Sequence, residues 1–288
     1  MNNDKPVVMA CIDDSKLSDA VCDYAVWIAQ RVDVPLKLLN TIDHHPETAE
    51  NLDLSGSLGV NSRAHLLEDI TDVEHAKSKA LIQKGKTILE AAKARVKAQG
   101  YSDPVVSLQH GSLIDSLIEL EQGIRVLVIG ARGKIHEDMP DKIGAKLEDM
   151  IRSLHLPILV AYEEFKKPEN IMIAYDGSDC ANKAVEMVAN SPLYKGLTCH
   201  LVNVSNNSSA EELLQKAANT LRDKSDLKII TASLSGKAEQ ALCDYQKQQN
   251  IELTIMGAFS HTRLHDILLG SFTVKMLLNT NNPLLLLR

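Results

Sequence analysis

The chain has 288 residues, 44% hydrophobic and 24% charged, which is enough length for two ordinary domains and enough apolar content to pack them. A formal net charge of −7 offers no broad basic field to hold a phosphate backbone, so nucleic acid is not an expected partner. The five cysteines include no CxxC pair, MNNDKP lacks a signal-peptide profile, and no apolar run nears the ~20 residues of a membrane span, so a cytoplasmic protein with neither a metal cluster nor a disulfide framework is expected.

In chain order, Pro6 to Ile12 is an apolar run that stops at Asp13-Asp14-Ser15. Leu17 to Arg31 carries Ala20, Tyr24, Trp27 and Ile28 on one helical face, and those residues are read as core. Pro35 to Leu39 reads as a second strand. Periodicity then lapses from Asp43 to about Asn61, a loop containing His44-His45, which read as solvated because no third metal ligand is spaced nearby. Arg63 to Gln99 reads as one long helix or two, ended by Gly100. Its lysines alternate with Ala, Leu and Ile, as on the wet side of an amphipathic helix. A strand at Val105 to Leu108, a turn at Gly111, a helix at Ser112 to Glu121, a buried strand at Ile124 to Ile129, a helix at Gly144 to Leu154 and a strand at Pro157 to Ala161 complete the first half.

After a polar linker from Lys166 to Asn170 the pattern begins again. Ile171 to Tyr175 runs into Asp176-Gly177-Ser178 as the first strand ran into Asp13-Asp14-Ser15. Asp179 to Asn190 is helical, Leu197 to Val204 a strand, Ala210 to Leu221 helical and Leu227 to Thr231 a strand. Gly236 takes the place of Gly111, Lys237 to Gln248 is helical, Ile251 to Met256 is a strand, and the chain closes on PLLLL as the first half closed on PILVA. The duplication implies two doubly wound α/β domains, 1–163 with a long insert at about 43–99, and 168–288. Each is expected to be a five-stranded parallel sheet with helices on both faces.

The most informative stretch is Gly257 to Thr273, GAFSHTRLHDILLGSFT. It follows a strand, and a glycine-serine pair then opens a helix that runs to about Asn279. Open α/β sheets bind ligands outside the carboxyl ends of their strands. There, glycine lets backbone approach a phosphate, and the free N–H groups of a helix N-terminus face the anion. Ser271 and Thr273 are placed to add hydroxyl donors. The spacing is neither GxxxxGK[ST] nor GxGxxG. It reads Gly-x-x-Ser, nine residues, Gly-Ser, and resembles the signature of the universal stress protein family, G-x-x-G-x9-G-[ST], with Ser260 in place of the second glycine. An ordinary βα turn that needs glycine for its backbone alone is the competing reading.

With the duplication, the chain resembles a tandem universal stress protein over nearly its whole length. That resemblance implies the adenine nucleotide alpha hydrolase-like fold, halves paired through their last strands, a homodimer as a further expectation, and ATP or another adenine nucleotide, with or without magnesium, as ligand. It places Asp176 beside adenine and ribose, Val204 against the base, Met256 and Gly257 under ribose and phosphates, and Ser260, Gly270, Ser271 and Phe272 at the phosphates. Asp176 reads equally as a helix cap, and Val204 as a strand end. A weaker second site would use Asp13, Gly130, Gly133, Gly144 and Ala145. Ten residues separate Gly133 from Gly144, Ala145 replaces the hydroxyl residue, and Thr41 stands where the second half has Val204. Arg132, Lys134 and Arg263 are candidates to neutralise phosphate, with surface solvation the alternative for each; His261 and His265 lie in the same loop. Two carboxylates, Asp176 and Asp266, fall short of the set that phosphoryl transfer needs, so no catalytic or metal-binding residue is assigned. The expected function is a nucleotide-dependent stress-response module. A slow ATPase, or a nucleotide-free scaffold or small-ligand binder, is the alternative.

Overall fold

The computed structural model describes residues 5–42, 60–132, 145–205, 210–258 and 270–288, with the backbone alone for 60–74 and 145. The first half runs β1 (Val7–Cys11), α1 (Ser18–Val32), β2 (Leu36–Ile42), α2 (Val60–Ala98), β3 (Val105–His110), α3 (Leu113–Leu120), β4 (Ile124–Gly130), α4 (Ala145–Ser153) and β5 (Ile158–Ala161). The second runs β6 (Asn170–Ala174), α5 (Asp179–Asn190), β7 (Thr198–Val204), α6 (Ala210–Lys224), β8 (Lys228–Leu234), α7 (Ala238–Gln248), β9 (Leu253–Gly257), α8 (Ser271–Asn279) and β10 (Leu284–Leu287).

The two five-stranded units expected from sequence are joined edge to edge. The strands form one ten-stranded sheet, ordered β3-β2-β1-β4-β5-β10-β9-β6-β7-β8. Every neighbouring pair is parallel except β5 and β10, which run antiparallel with Leu159 opposite Leu285. The two halves thus share a strand order and meet at a seam. A short last strand leaves an unsatisfied edge, and pairing two such edges removes both. Pro157 and Pro283 each stand just before a seam strand, where a missing N–H costs no ladder bond, and their carbonyls accept from Leu127 and Thr254.

Helices cover both faces, which explains the nearly unbroken apolar strands VVMAC, ILVA and LLLL. One core packs α1, α2, α5 and α6 on one face; the other packs α3, α4, α7 and α8 on the opposite face. Tyr24, Trp27 and Ile28 are buried as their spacing predicts. α1 is buried nearly all round, and Phe165, just before the linker, lies over it with its ring edge-on to Tyr24 at a centroid distance of 4.8 Å. Of the insert, the described residues form one helix, α2 (Val60–Ala98), ended by Gly100 at φ +84°. Its buried residues Leu89, Ala92 and Val96 pack where Leu214, Ala217 and Leu221 of α6 pack in the second half. Gly111 and Gly236 turn the chain after β3 and β8 at φ +106° and +104°, conformations that favour glycine. Among the described residues no helix is long and apolar enough to cross a membrane.

Candidate nucleotide site

The carboxyl ends of β6, β7 and β9, with the start of α8, surround a cleft of about 200 Å³. Six of the residues that the resemblance places around a nucleotide line it: Asp176, Val204, Met256, Gly257, Gly270 and Phe272, and Thr273 lines it as well. Ser271 is exposed at the first position of α8, outside that lining. Ser260, Gly133 and Gly144 lie outside the described residues, as do His44, His45, Lys134, His261, Arg263, His265 and Asp266; Ala145 is described only as the start of α4.

The floor is set by close packing. A Cβ on Gly257 would stand 2.8 Å from Cys180 Cβ, so α5 crosses the end of β9 at a distance that only glycine permits without a shift. On the wall, Asp176 is exposed and accepts from the Ser178 N–H at 2.9 Å. The cap of α5 is Ser178, whose Oγ accepts from the Ala181 N–H at 3.0 Å. The capping reading therefore falls on Ser178, and Asp176 keeps its place at the mouth. Tyr175 is packed below, and its burial pushes the phenol pKa above the ordinary 10.0.

At the opposite wall Gly270 is the buried residue before α8, and its carbonyl accepts from the Val274 N–H at 3.1 Å. The N–H groups of the first helical turn have no partner within the helix, and the helix dipole places partial positive charge there. Thr273 plays another part than the one expected from sequence. Its buried hydroxyl donates to Ala258 O at 2.8 Å, which ties α8 to the end of β9 and spends its single proton. Ala238 and Leu242 of α7 form a further wall that the sequence reading missed. Their signal was the Gly236 turn, which starts α7 at the carboxyl edge of the sheet with an i, i+4 apolar pair.

The chemistry of this donor set suits an apolar ring among Val202, Val204 and Leu242, a carboxylate partner for its polar edge, and a helix N-terminus for an anion. Among the described lining residues there is no lysine or arginine. No group of three His, Cys, Asp or Glu side chains among the described residues stands as a metal cluster.

The first half builds the same corner differently. Asn40 and Asn203 are counterparts, each donating at 2.7 Å to a carbonyl at the end of the neighbouring strand, Ile12 O and Tyr175 O. This places Asp13 opposite Asp176 and Thr41 opposite Val204. Asp13 Oδ1 is held by the Ser15 N–H at 3.0 Å and the Ser15 hydroxyl at 2.5 Å, with Ser18 Oγ 2.9 Å away. Leu17 lies over Gly130, within 3.1 Å of where a Cβ would be, in the place that Cys180 takes over Gly257. Lys84 of α2 closes on Asp14 at 2.7 Å.

The fold defines an α/β protein of two repeated parallel units, with a cleft at the strand ends of the second. The model of the Universal stress protein family matches residues 6–161 and 168–288, and the chain belongs to that family. It is 31% identical over 284 residues to Universal stress protein Slr1230 of Synechocystis, covering 98% of this chain and 99% of that protein. Among solved structures, a universal stress protein from Archaeoglobus fulgidus shares the fold across 100% of this chain and 99% of its own, with a TM-score of 0.72 at 16% identity. A functionally unknown protein from Pseudomonas aeruginosa superposes with a TM-score of 0.61 at 14% identity, over 98% of this chain and 92% of its own.

Proposed function

We propose that the second-half cleft binds an adenine nucleotide and that the chain acts as a nucleotide-dependent binding module in a stress response. The observation that carries this reading is convergence. Six residues chosen from a signature spread between Asp176 and Phe272 line one cleft, with the N-terminus of α8 at one end and an apolar slot at the other. The base lies between Val204 and Leu242, Asp176 accepts from a ribose hydroxyl or the base amine, and phosphate meets the first turn of α8. The first-half corner, with Leu17 over its glycine and Asp13 already hydrogen-bonded, is the weaker binder.

Efficient phosphoryl transfer needs several metal-holding carboxylates and cationic clamps around the phosphates. The described lining offers Asp176 alone, so turnover is absent or very slow. Sustained magnesium-dependent ATP hydrolysis that disappears in Asp176→Ala would overturn this part of the reading.

The direct test is mass spectrometry of small molecules released by denaturing freshly purified protein, with Gly270→Asp in parallel. The variant places a side chain and a negative charge where phosphate approaches. Release of an adenine nucleotide from the parent and none from the variant is the expected result. Equal release from both moves the site to the first half. If neither releases one, and titration with ATP, ADP and AMP is also silent, a scaffold role takes its place.

A further inference from the structure

A second cleft lies on the seam between the halves and shares no residue with the first. It is about 230 Å³, floored by Leu159 and Leu285 of the antiparallel pair and walled by Ile28 and Val32 of α1 and Met187 of α5. An apolar cavity of ~150 Å³ is already large enough to take up a benzene ring. The lining is mostly apolar, with Asn190 and Ser191 at the end of α5 as its uncharged polar residues, and junctions between domains are where small-molecule sites concentrate.

One charged side chain, Arg125, lines this cleft. It is exposed at the start of β4 and makes no hydrogen bond or ion pair with the described residues. Its counterpart in the second half is Glu252, since Val126 and Leu253 pair with the equivalent residues Val8 and Ile171. Glu252 is committed: it accepts from the Asn170 N–H at 2.7 Å and the Glu169 N–H at 3.2 Å. The duplicated position therefore holds a structural carboxylate in one half and an uncommitted guanidinium in the other. A guanidinium presents a planar fork of donors matched to a carboxylate.

We propose that the seam cleft binds a small monocarboxylic acid with an alkyl or aryl body. The body lies between α1 and α5 over Leu159 and Leu285, and the carboxylate lies on Arg125. The opposing consideration is that α1 ends at Val32 and α5 at Asn190, both lining residues, and helix C-termini carry partial negative charge that attracts cations. Part of it is already answered. The Ala29 carbonyl accepts from the Asp33 and Val34 N–H groups, and Arg31 stands in the last turn of α1. The whole charge of Arg125 decides for an anion, and a cation of the same shape is the control.

The experiment is equilibrium dialysis of the full chain against 3-phenylpropionate and, separately, 3-phenylpropylamine, each at millimolar concentration. Saturable uptake of the acid and not the amine is expected. Arg125→Ala, an exposed substitution that spares the core, should weaken the acid by roughly tenfold or more, the usual cost of a charge-assisted hydrogen bond. Met187→Trp should block uptake by filling the cleft, and Val32→Trp serves if that variant does not fold. Uptake of the amine equal to the acid, undiminished acid binding in Arg125→Ala, or no uptake by the parent would each overturn the proposal. Nucleotide release from the other cleft is unaffected by these variants, so the two readings stand or fall separately.

Discussion

The two halves share a strand order, a helix order and even the φ angle of a turn glycine, yet they close the same corner in different ways. In the second half, the short side chain of Cys180 packs close over Gly257, a cleft opens beside it, and Asp176 stands exposed at the mouth. In the first, Leu17 covers Gly130, two serines gather on Asp13, and the insert helix sends Lys84 to Asp14. A duplicated fold can thus keep its backbone signature while a few side chains change what the corner offers. A glycine motif reports the backbone, but the side chains gathered around the corner decide what it offers.

The largest expected difference lies in how each half fastens its second crossover helix. Arg95 of α2 grips Asp23 of α1 through two hydrogen bonds, 2.9 Å from Nε and 2.6 Å from Nη2, and reaches Asp19 at 2.8 Å. Asp23 is only 6% exposed, and its hydrogen bonds hold the Arg95 guanidinium above its already high ordinary pKa. In the second half, Lys224 of α6 meets Glu186 of α5 at 2.6 Å with both side chains in solvent. Removing Arg95 strands the buried Asp23 carboxylate, but the guanidinium itself is 35% exposed, so Arg95→Ala should destabilise the chain by about 2 kcal/mol in urea unfolding, below the cost for a fully buried pair. Lys224→Ala should leave the urea midpoint where it was, as expected for an exposed pair. Equal shifts in the two variants would mean that the halves are fastened alike.

The glycine floors give the next smaller contrast. An added methyl at Gly257 meets Cys180 Cβ at 2.8 Å, an atom fixed to the backbone of α5. Gly257→Ala should therefore cost roughly 1–3 kcal/mol through a forced shift and narrow the second-half cleft. At Gly130 the same methyl meets Leu17 Cβ and Cδ1 at 3.1 and 3.3 Å, beside the flexible end of a side chain in the residue before α1. Gly130→Ala should cost less than about 1 kcal/mol, in line with small volume changes at sites that can adjust. A larger loss at Gly130 than at Gly257 would reverse the ranking of the two corners. Thermal unfolding of both variants, with nucleotide release measured alongside, separates the stability effect from the binding effect.

Most of the fold was legible because its strands are covered on both faces, which turns them into short apolar runs broken by Gly, Asp and Pro. The sequence predicts Asp179–Asn190 to the residue and Arg63 to Gln99 as one long helix or two ended by Gly100, where the structure has the single helix α2. The continuous sheet was not legible from pattern. PILVA and PLLLL announce buried strands, but neither contains a signal for the antiparallel direction in which they meet. At the site, glycines and the aspartate could be found because spacing along the chain encodes them. Ala238 and Leu242 could not, because they enter from another helix through the crossover. Thr273 differs for a similar reason: the sequence shows a hydroxyl beside a glycine-serine turn, while the structure shows its proton committed to Ala258 O.

The smallest effect should appear as pH dependence in the second half alone. His200 of β7 is buried, with Nδ1 2.9 Å from the Tyr245 hydroxyl, where the first half has the half-buried Lys37 at the equivalent register position. Burial, helped by the charge of Lys228, lowers the imidazole pKa below its ordinary 6.5. The unfolded chain then binds a proton more readily than the folded one. Stability from this residue is full above the unfolded pKa, falls as pH drops through it, and levels off once pH is below the folded value. Urea unfolding of the parent between about pH 7.5 and 5.5 should show that decline, superimposed on the carboxylate contribution at the acid end. His200→Gln retains a polar group near Tyr245 but cannot titrate, so its stability should be lower at neutral pH and flatter across the same window. An equally steep decline in both proteins would remove His200 as the cause and leave the halves alike in their response to acid.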